Sequence, residues 1–132
     1  MNAIQQTQVF ADWLDGLADK VGQALIAQRI SAAEAGNFGD CEPVGDGIGE
    51  MRIHFGPGYR VYFMRDGYVV YLLLCGGDKS SQKADIARAK EMAARLKAER
   101  AEAVSTKNAT AKKATASGAA GKGKGKGKAR KG

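Results

Sequence analysis

Residues 68–75 read YVVYLLLC. A run this continuously apolar cannot alternate between core and water. A strand here is covered on both faces, so helices have to pack on its sheet. Gly76-Gly77 marks its end. The strand before it obeys a different rule. In GEMRIHFGPGYRVYF, residues 49–63, the alternation puts Met51, Ile53, Phe55, Tyr59, Val61 and Phe63 on one face. Glu50, Arg52, His54, Arg60, Tyr62 and Met64 fall on the other. The Gly56-Pro57-Gly58 turn makes the two halves antiparallel neighbours. With Phe55 opposite Tyr59, Arg60 stands across from His54 and Tyr62 across from Arg52.

Helical spacing governs the rest. Val9, Phe10, Trp13, Leu14 and Leu17 recur on one stripe, and Val21, Leu25, Ile26 and Ile30 continue it. Gly16 divides the stretch into two helices, Asp19 opens the second, and Gly36 is a stop signal. Residues 37–47 form a loop rich in glycine, pinned by Phe38 and Val44. Arg65-Asp66-Gly67 is a second tight turn. A last helix starts near Asp85 and runs to about Lys97, with Ile86, Ala89, Met92 or Ala93, and Leu96 as its packing stripe. Residues 1–7 supply a possible edge strand, signalled only by Ile4. The expected fold is α+β: a small antiparallel-rich sheet packed against N-terminal helices and a C-terminal helix.

Charge divides the chain unevenly. Residues 1–104 carry a net −2, whereas residues 105–132 hold eight Lys, one Arg and no acid, a net +9. The +7 of the whole therefore belongs to its end. Residues 1–104 read as one domain. Residues 105–132 offer no large apolar side chain, end in Gly-Lys repeats, and read as a disordered Lys/Gly/Ala-rich tail. The tail either adds affinity for polyanions or is a solubilising extension. Cys41 and Cys75 are two widely separated cysteines. They make neither a disulfide framework nor, with one histidine, a metal centre. No apolar run is long enough to span a membrane, and no charged leader precedes a hydrophobic segment. These features point to a soluble cytoplasmic protein without a cofactor.

Two arginines on a stiff hairpin suit the binding of phosphate. The guanidinium fork grips two oxygens, but its high pKa makes it a poor base. Arg52 and Arg60 either do this or pair with Glu50, Asp40 and Asp46. His54 is the single side chain with an ordinary pKa near neutrality. It is either a general acid or base beside Arg52, or a solvent-facing or structural residue. Lys79, in GGDKSSQ, sits where a strand end meets a helix, a common place for working residues. The neighbouring glycines permit close approach of a ligand, while Asp78, Ser80 and Ser81 suit helix capping. Tyr62 on the basic face is suited to stacking on a base. Lys83, just before the last helix, and Arg88 on it are further candidates for contact with substrate, the alternative for Arg88 and Lys90 being a solvated face.

Taken in order, Trp13-Leu14 with Leu17, GNFGD at 36–40, MRIHFGPGYRVYF at 51–63 and LLLCGGDKSSQKADIARAKEMA at 72–93 resemble the RelE/ParE superfamily of type II toxins. They are most similar to its HigB-like branch, the addiction module killer proteins. The resemblance spans residues 8–97. It implies a toxin held inactive by a helix-turn-helix antitoxin, with the complex binding operator DNA. It also implies ribosome-dependent cleavage of mRNA without a metal. Arg60 matches the strand arginine of the superfamily's nucleases, and Arg52 and Lys79 stand where further basic residues of the site are expected. Two departures stand out. Ile86 occupies the position of a late tyrosine or histidine, a loss that either slows cleavage or shifts it to His54, and SAAEA replaces a more basic and apolar segment before GNFGD. A gyrase poison that cleaves nothing, and an inactive relative that only binds antitoxin or nucleic acid, remain as alternatives.

Overall fold

The computed structural model describes residues 2–66 and 70–117, with side chains described to residue 103. Its elements run β1 (Ala3–Gln6), α1 (Gln8–Asp15), α2 (Lys20–Glu34), β2 (Cys41–Gly45), β3 (Ile48–Ile53), β4 (Tyr59–Arg65), β5 (Val70–Gly77), a 3-10 turn (Lys79–Ser81) and α3 (Gln82–Ser117). The strands form one mixed sheet in the order β1-β5-β4-β3-β2. Among the described residues, only the β1–β5 pair is parallel. Met1–Ala94 is one compact unit and a second begins at Arg95. The expected turn at Gly67 and the residues Tyr68 and Val69 lie outside the described residues.

Local chemistry sets the helix ends. Thr7 Oγ1 accepts from the Phe10 N–H at 3.1 Å and starts α1, which closes on Gly16. Asp19 Oδ1 accepts from the Gly22 N–H at 2.9 Å and starts α2. Each side chain satisfies a donor that the first helical turn leaves unpaired. Both helices lay their apolar stripe on one face of the sheet, where Phe10, Ile26, Ile30 and Ala33 meet Met51, Ile53, Tyr59, Val61 and Leu73. Val9 and Val21, counted in that stripe from sequence, are instead exposed. The first turns of α3 serve the opposite face. There Gln82 reaches Glu50, and the Cys75 thiol donates to the Asp85 carbonyl. The two-sided burial demanded by LLLC is met, with Leu72 through Cys75 all buried.

Four sequence expectations are corrected. Residues 37–47 are not all loop, because CEPVG pairs with β3 as an edge strand, its proline on the sheet's margin as such residues require. The hairpin register is two residues tighter toward the sheet than expected. Ile53 faces Tyr59 and Arg52 faces Arg60, because residues 54–58 form the loop and Gly56 and Gly58 take positive φ. A shift of two preserves the faces, but it lifts Phe55 out of the core to 38% exposure. Finally, α3 does not stop near Lys97, and residues 105–117 are helical rather than disordered. No Gly or Pro interrupts residues 82–117, and alanine with long charged side chains carries high helix propensity. The Gly-Lys repeats lie outside the described residues.

Candidate functional site

The face that alternation marks as basic is organised around an acid. Glu50 is 1% exposed. Its carboxylate accepts from the Tyr62 hydroxyl at 2.9 Å, from Gln82 Nε2 at 2.8 Å and from Arg52 Nε at 3.1 Å. Arg60 Nε lies 3.9 Å away. Strand register explains the gathering: Glu50 faces Tyr62, the next pair on that face is Arg52 with Arg60, and α3 delivers Gln82 from above. Burial alone would push the Glu50 carboxyl up. The hydrogen bonds from Gln82, Tyr62 and Arg52, with the charge of Arg52, outweigh it and hold the group below its ordinary value.

This arrangement sorts the predicted residues. Arg52 is committed to internal ion pairs, with Glu42 at 2.6 Å and with Glu50. Arg60 is less fully spent. Its Nη1 donates to the Gly58 carbonyl at 2.6 Å, while its buried Nε has no hydrogen-bond partner among the described residues. Tyr62 is wholly buried beneath α3 and donates to Glu50, so it offers no face for a base to stack on. Burial, reinforced by Glu50, drives its hydroxyl pKa upward. The close approach allowed by Gly76 and Gly77 is filled by the protein itself. A Cβ on Gly76 would lie 2.4 Å from the Trp13 ring, and one on Gly77 would lie 1.8 Å from Asp85 Oδ2.

The end of the β3–β4 hairpin brings the remaining candidates to one loop. His54 opens the loop and Arg60 is the second residue after it. The Lys79 N–H donates to the Pro57 carbonyl at 3.3 Å. A Cβ on Gly58 would meet Arg60 Nη1 at 2.8 Å and Lys79 Cβ at 3.5 Å, so the Arg60 guanidinium and the base of the Lys79 side chain border that glycine. The Lys79 side chain is exposed. Asp78 caps the turn that carries it, accepting from the Ser80 N–H at 2.8 Å. The Ser80 hydroxyl bond, chiefly, holds the Asp78 carboxyl below its usual value.

His54 Nε2 is hydrogen-bonded to Asp40 Oδ2, and the imidazole is largely exposed. The His54 hydrogen bond is the first cause of a lowered Asp40 pKa. Sequence reasoning missed the residue that holds this pair in place. Arg29, on α2, donates to the carbonyls of Arg52, Phe38 and Asp40, the last two at 2.9 and 3.2 Å. Its position on the inward side of the helix was the available signal. Lys83 is exposed on the first turn of α3. Arg88 is tied to Asp85 at 3.2 Å.

Both cysteines are free. Burial pushes the Cys75 thiol up to about 11, which suits an inert core residue. Among the described residues, no three metal-ligating side chains gather, and no helix is long and apolar enough to cross a membrane. A cavity of about 360 Å³ opens on the β2 edge beside Cys41, Ile48 and Phe63, away from the hairpin loop.

Residues 12–97 match the family described as "Phage derived protein Gp49-like (DUF891)". An uncharacterized protein of Haemophilus influenzae is 47% identical over 93 residues, covering 70% of this chain and 94% of that protein. Among solved structures, a chain of the intact E. coli RelBE toxin-antitoxin complex is similar at a TM-score of 0.47 and 15% identity. That likeness covers 59% of this chain and 96% of the other.

Proposed function

The chain belongs to the phage-derived Gp49-like family, and for this member we propose a toxin that cuts RNA from the end of its β3–β4 hairpin. One observation carries the reading: Arg60 and Lys79 border Gly58, and the His54–Asp40 pair opens the same loop. The HigB-like motifs noted above agree with it. In this reading the substrate is mRNA on the ribosome. The partner in the resting cell is a helix-turn-helix antitoxin, whose complex with the toxin binds operator DNA.

The chemistry follows from the groups present. Arg60 and Lys79 hold the nonbridging oxygens of the scissile phosphate and offset the charge that grows on them. Arginine is too basic to remove a proton, so His54 takes that role. With Nε2 engaged by Asp40, Nδ1 is the nitrogen left to accept the proton of the 2′-hydroxyl. The 2′-oxygen then bonds to phosphorus and the bond from phosphorus to the 5′-oxygen breaks. The leaving oxygen takes up a proton, giving a 2′,3′-cyclic phosphate and a 5′-hydroxyl. General base catalysis of this kind contributes ~10²–10⁴-fold.

A binding role without cleavage is the second reading, as a gyrase poison or an inactive relative. The specific observation in its favour is the neutralisation of Arg52 by Glu42 and Glu50. Induction of the chain without its antitoxin, followed by mapping of mRNA 5′ ends, separates the two. Discrete cuts that need ribosomes and fall ~10²-fold or more in Arg60→Ala support the nuclease. Growth arrest with intact mRNA and broken or relaxed DNA supports the poison, and normal growth supports the inactive relative.

A further inference from the structure

Alternation assigns Phe55 to the core, but the hairpin register places it in the 54–58 loop, 38% exposed. It is the one aromatic among the exposed large apolar side chains of the described residues, the others being Val9 and Val21 on the helices. The rings of Phe10, Trp13, Phe38, Tyr59, Phe63 and Tyr71 each pack on another ring. Tyr62 is buried with its hydroxyl on Glu50. Phe55 has no ring partner among the described residues. A single exposed apolar residue is ordinary on a protein surface. This one is set apart by its place and by the stiffness of the backbone that carries it.

The loop is held along its length. The Phe55 N–H donates to the Ile53 carbonyl at 2.9 Å, and the Gly58 N–H donates to the Phe55 carbonyl at 3.0 Å. A Cβ on Gly56 would lie 3.6 Å from Asp19 Oδ2, the oxygen that accepts from the Tyr59 hydroxyl at 2.8 Å. The Pro57 carbonyl accepts from the Lys79 N–H. A preorganised backbone therefore presents Phe55, and a ligand that covers it pays little ordering cost. His54 precedes it in the chain, and the Arg60 guanidinium and the base of Lys79 border Gly58 in the same loop. One short segment thus combines an exposed π face with groups suited to a phosphate and a sugar hydroxyl, and a nucleotide has all three parts. An apolar segment of a partner protein would cover the ring but leave the neighbouring guanidinium unmatched.

We infer that Phe55 is a substrate-positioning residue, its ring stacking on a base next to the scissile phosphate. Every base has a π face, so the ring adds affinity without choosing among the four. RNA as the strand rests on the function proposed above.

The test uses the full chain and an oligouridylate with 2′-O-methyl groups, which cannot be cut, beside the same strand without its bases. Phe55→Ala should weaken binding of the base-bearing strand by ~5- to 150-fold, the range for one base stacked on one ring, and leave the abasic strand unchanged. Phe55→Tyr should keep the wild-type difference between the strands. Phe55→Leu is apolar but has no π face, and should lose most of that difference. With circular dichroism showing each variant folded, equal losses on both strands or full retention in Phe55→Leu overturn the stacking role. A wild type that binds both strands equally overturns it too. So does native oligonucleotide affinity in Phe55→Ala, and if that variant fails only to hold a helix-turn-helix antitoxin, the ring belongs to the protein partner. None of these measurements requires cleavage. Cutting of mRNA by the wild type, and its loss in Arg60→Ala, test the nuclease reading separately.

Discussion

A buried glutamate fixes the electrostatics of the hairpin face. Glu50 has three hydrogen-bond donors and a second guanidinium beside it. Removing its charge leaves Arg60 and Tyr62 buried against a neutral group. Glu50→Gln should therefore lower stability by about 3 kcal/mol in urea unfolding at neutral pH. The pH dependence has a fixed sign. Because the folded carboxyl sits below its ordinary value of 4.5, its contribution is complete above that value and is lost as pH falls through the lower folded one. The gap between wild type and Glu50→Gln should narrow on acidification, and a gap that stays constant would refute this account. Gly77 shows how far single residues can be read. A glycine pair announces close approach, but the approaching group is Asp85, which lies eight positions away. Sequence cannot distinguish a ligand from the chain's own side chain. Gly77→Ala should cost about 2 kcal/mol by overpacking, and truncation of Asp85 in the same chain should recover part of that loss.

Elements were legible where their signals are local. Asp19 and Gly16 mark helix ends through bonds to residues within one turn, and both stand where expected. The edge strand CEPVG was not legible, because its proline and glycine speak for a turn and only pairing with β3 makes it a strand. The same limit hid the site's organisation. Alternation located Arg52, Arg60 and Tyr62 on one face, but the burial of Tyr62 and of the Glu50 it bonds depends on α3 arriving about twenty residues downstream of Tyr62. Arg29 belongs to this scale, since its guanidinium joins α2, the 37–40 segment and the end of β3 through three carbonyls. Arg29→Ala should cost about 2 kcal/mol, the range for charge-assisted bonds. It should also shift the His54 ring signals in proton NMR spectra as Asp40 loses its support. Arg29→Lys keeps the charge but not the planar fork, so it should restore little of either. Full recovery by lysine would show that charge alone matters.

Across the whole molecule, apolar core and positive charge are segregated along the sequence. Among the described residues the buried ones end with Ala93, and residues 97–103 are exposed. The first compact unit closes at Ala94, within α3 rather than at its end. Residues 105–117 contain no apolar side chain larger than alanine, so the helix over that stretch rests on backbone propensity. Stability of the body and helicity of the extension should then respond to different substitutions. Asn108→Pro removes a backbone donor in mid-helix and costs roughly 3 kcal/mol locally. It should reduce the helical signal in far-UV circular dichroism. The unfolding midpoint followed by Trp13 should not move, since that ring packs over Gly76 beside Phe10 and Tyr59 inside the first unit. A midpoint that falls together with the helical signal would mean that residues past Ala94 support the core. The two parts of α3 on either side of Ala94 would then fold as one cooperative element with the domain that carries the hairpin.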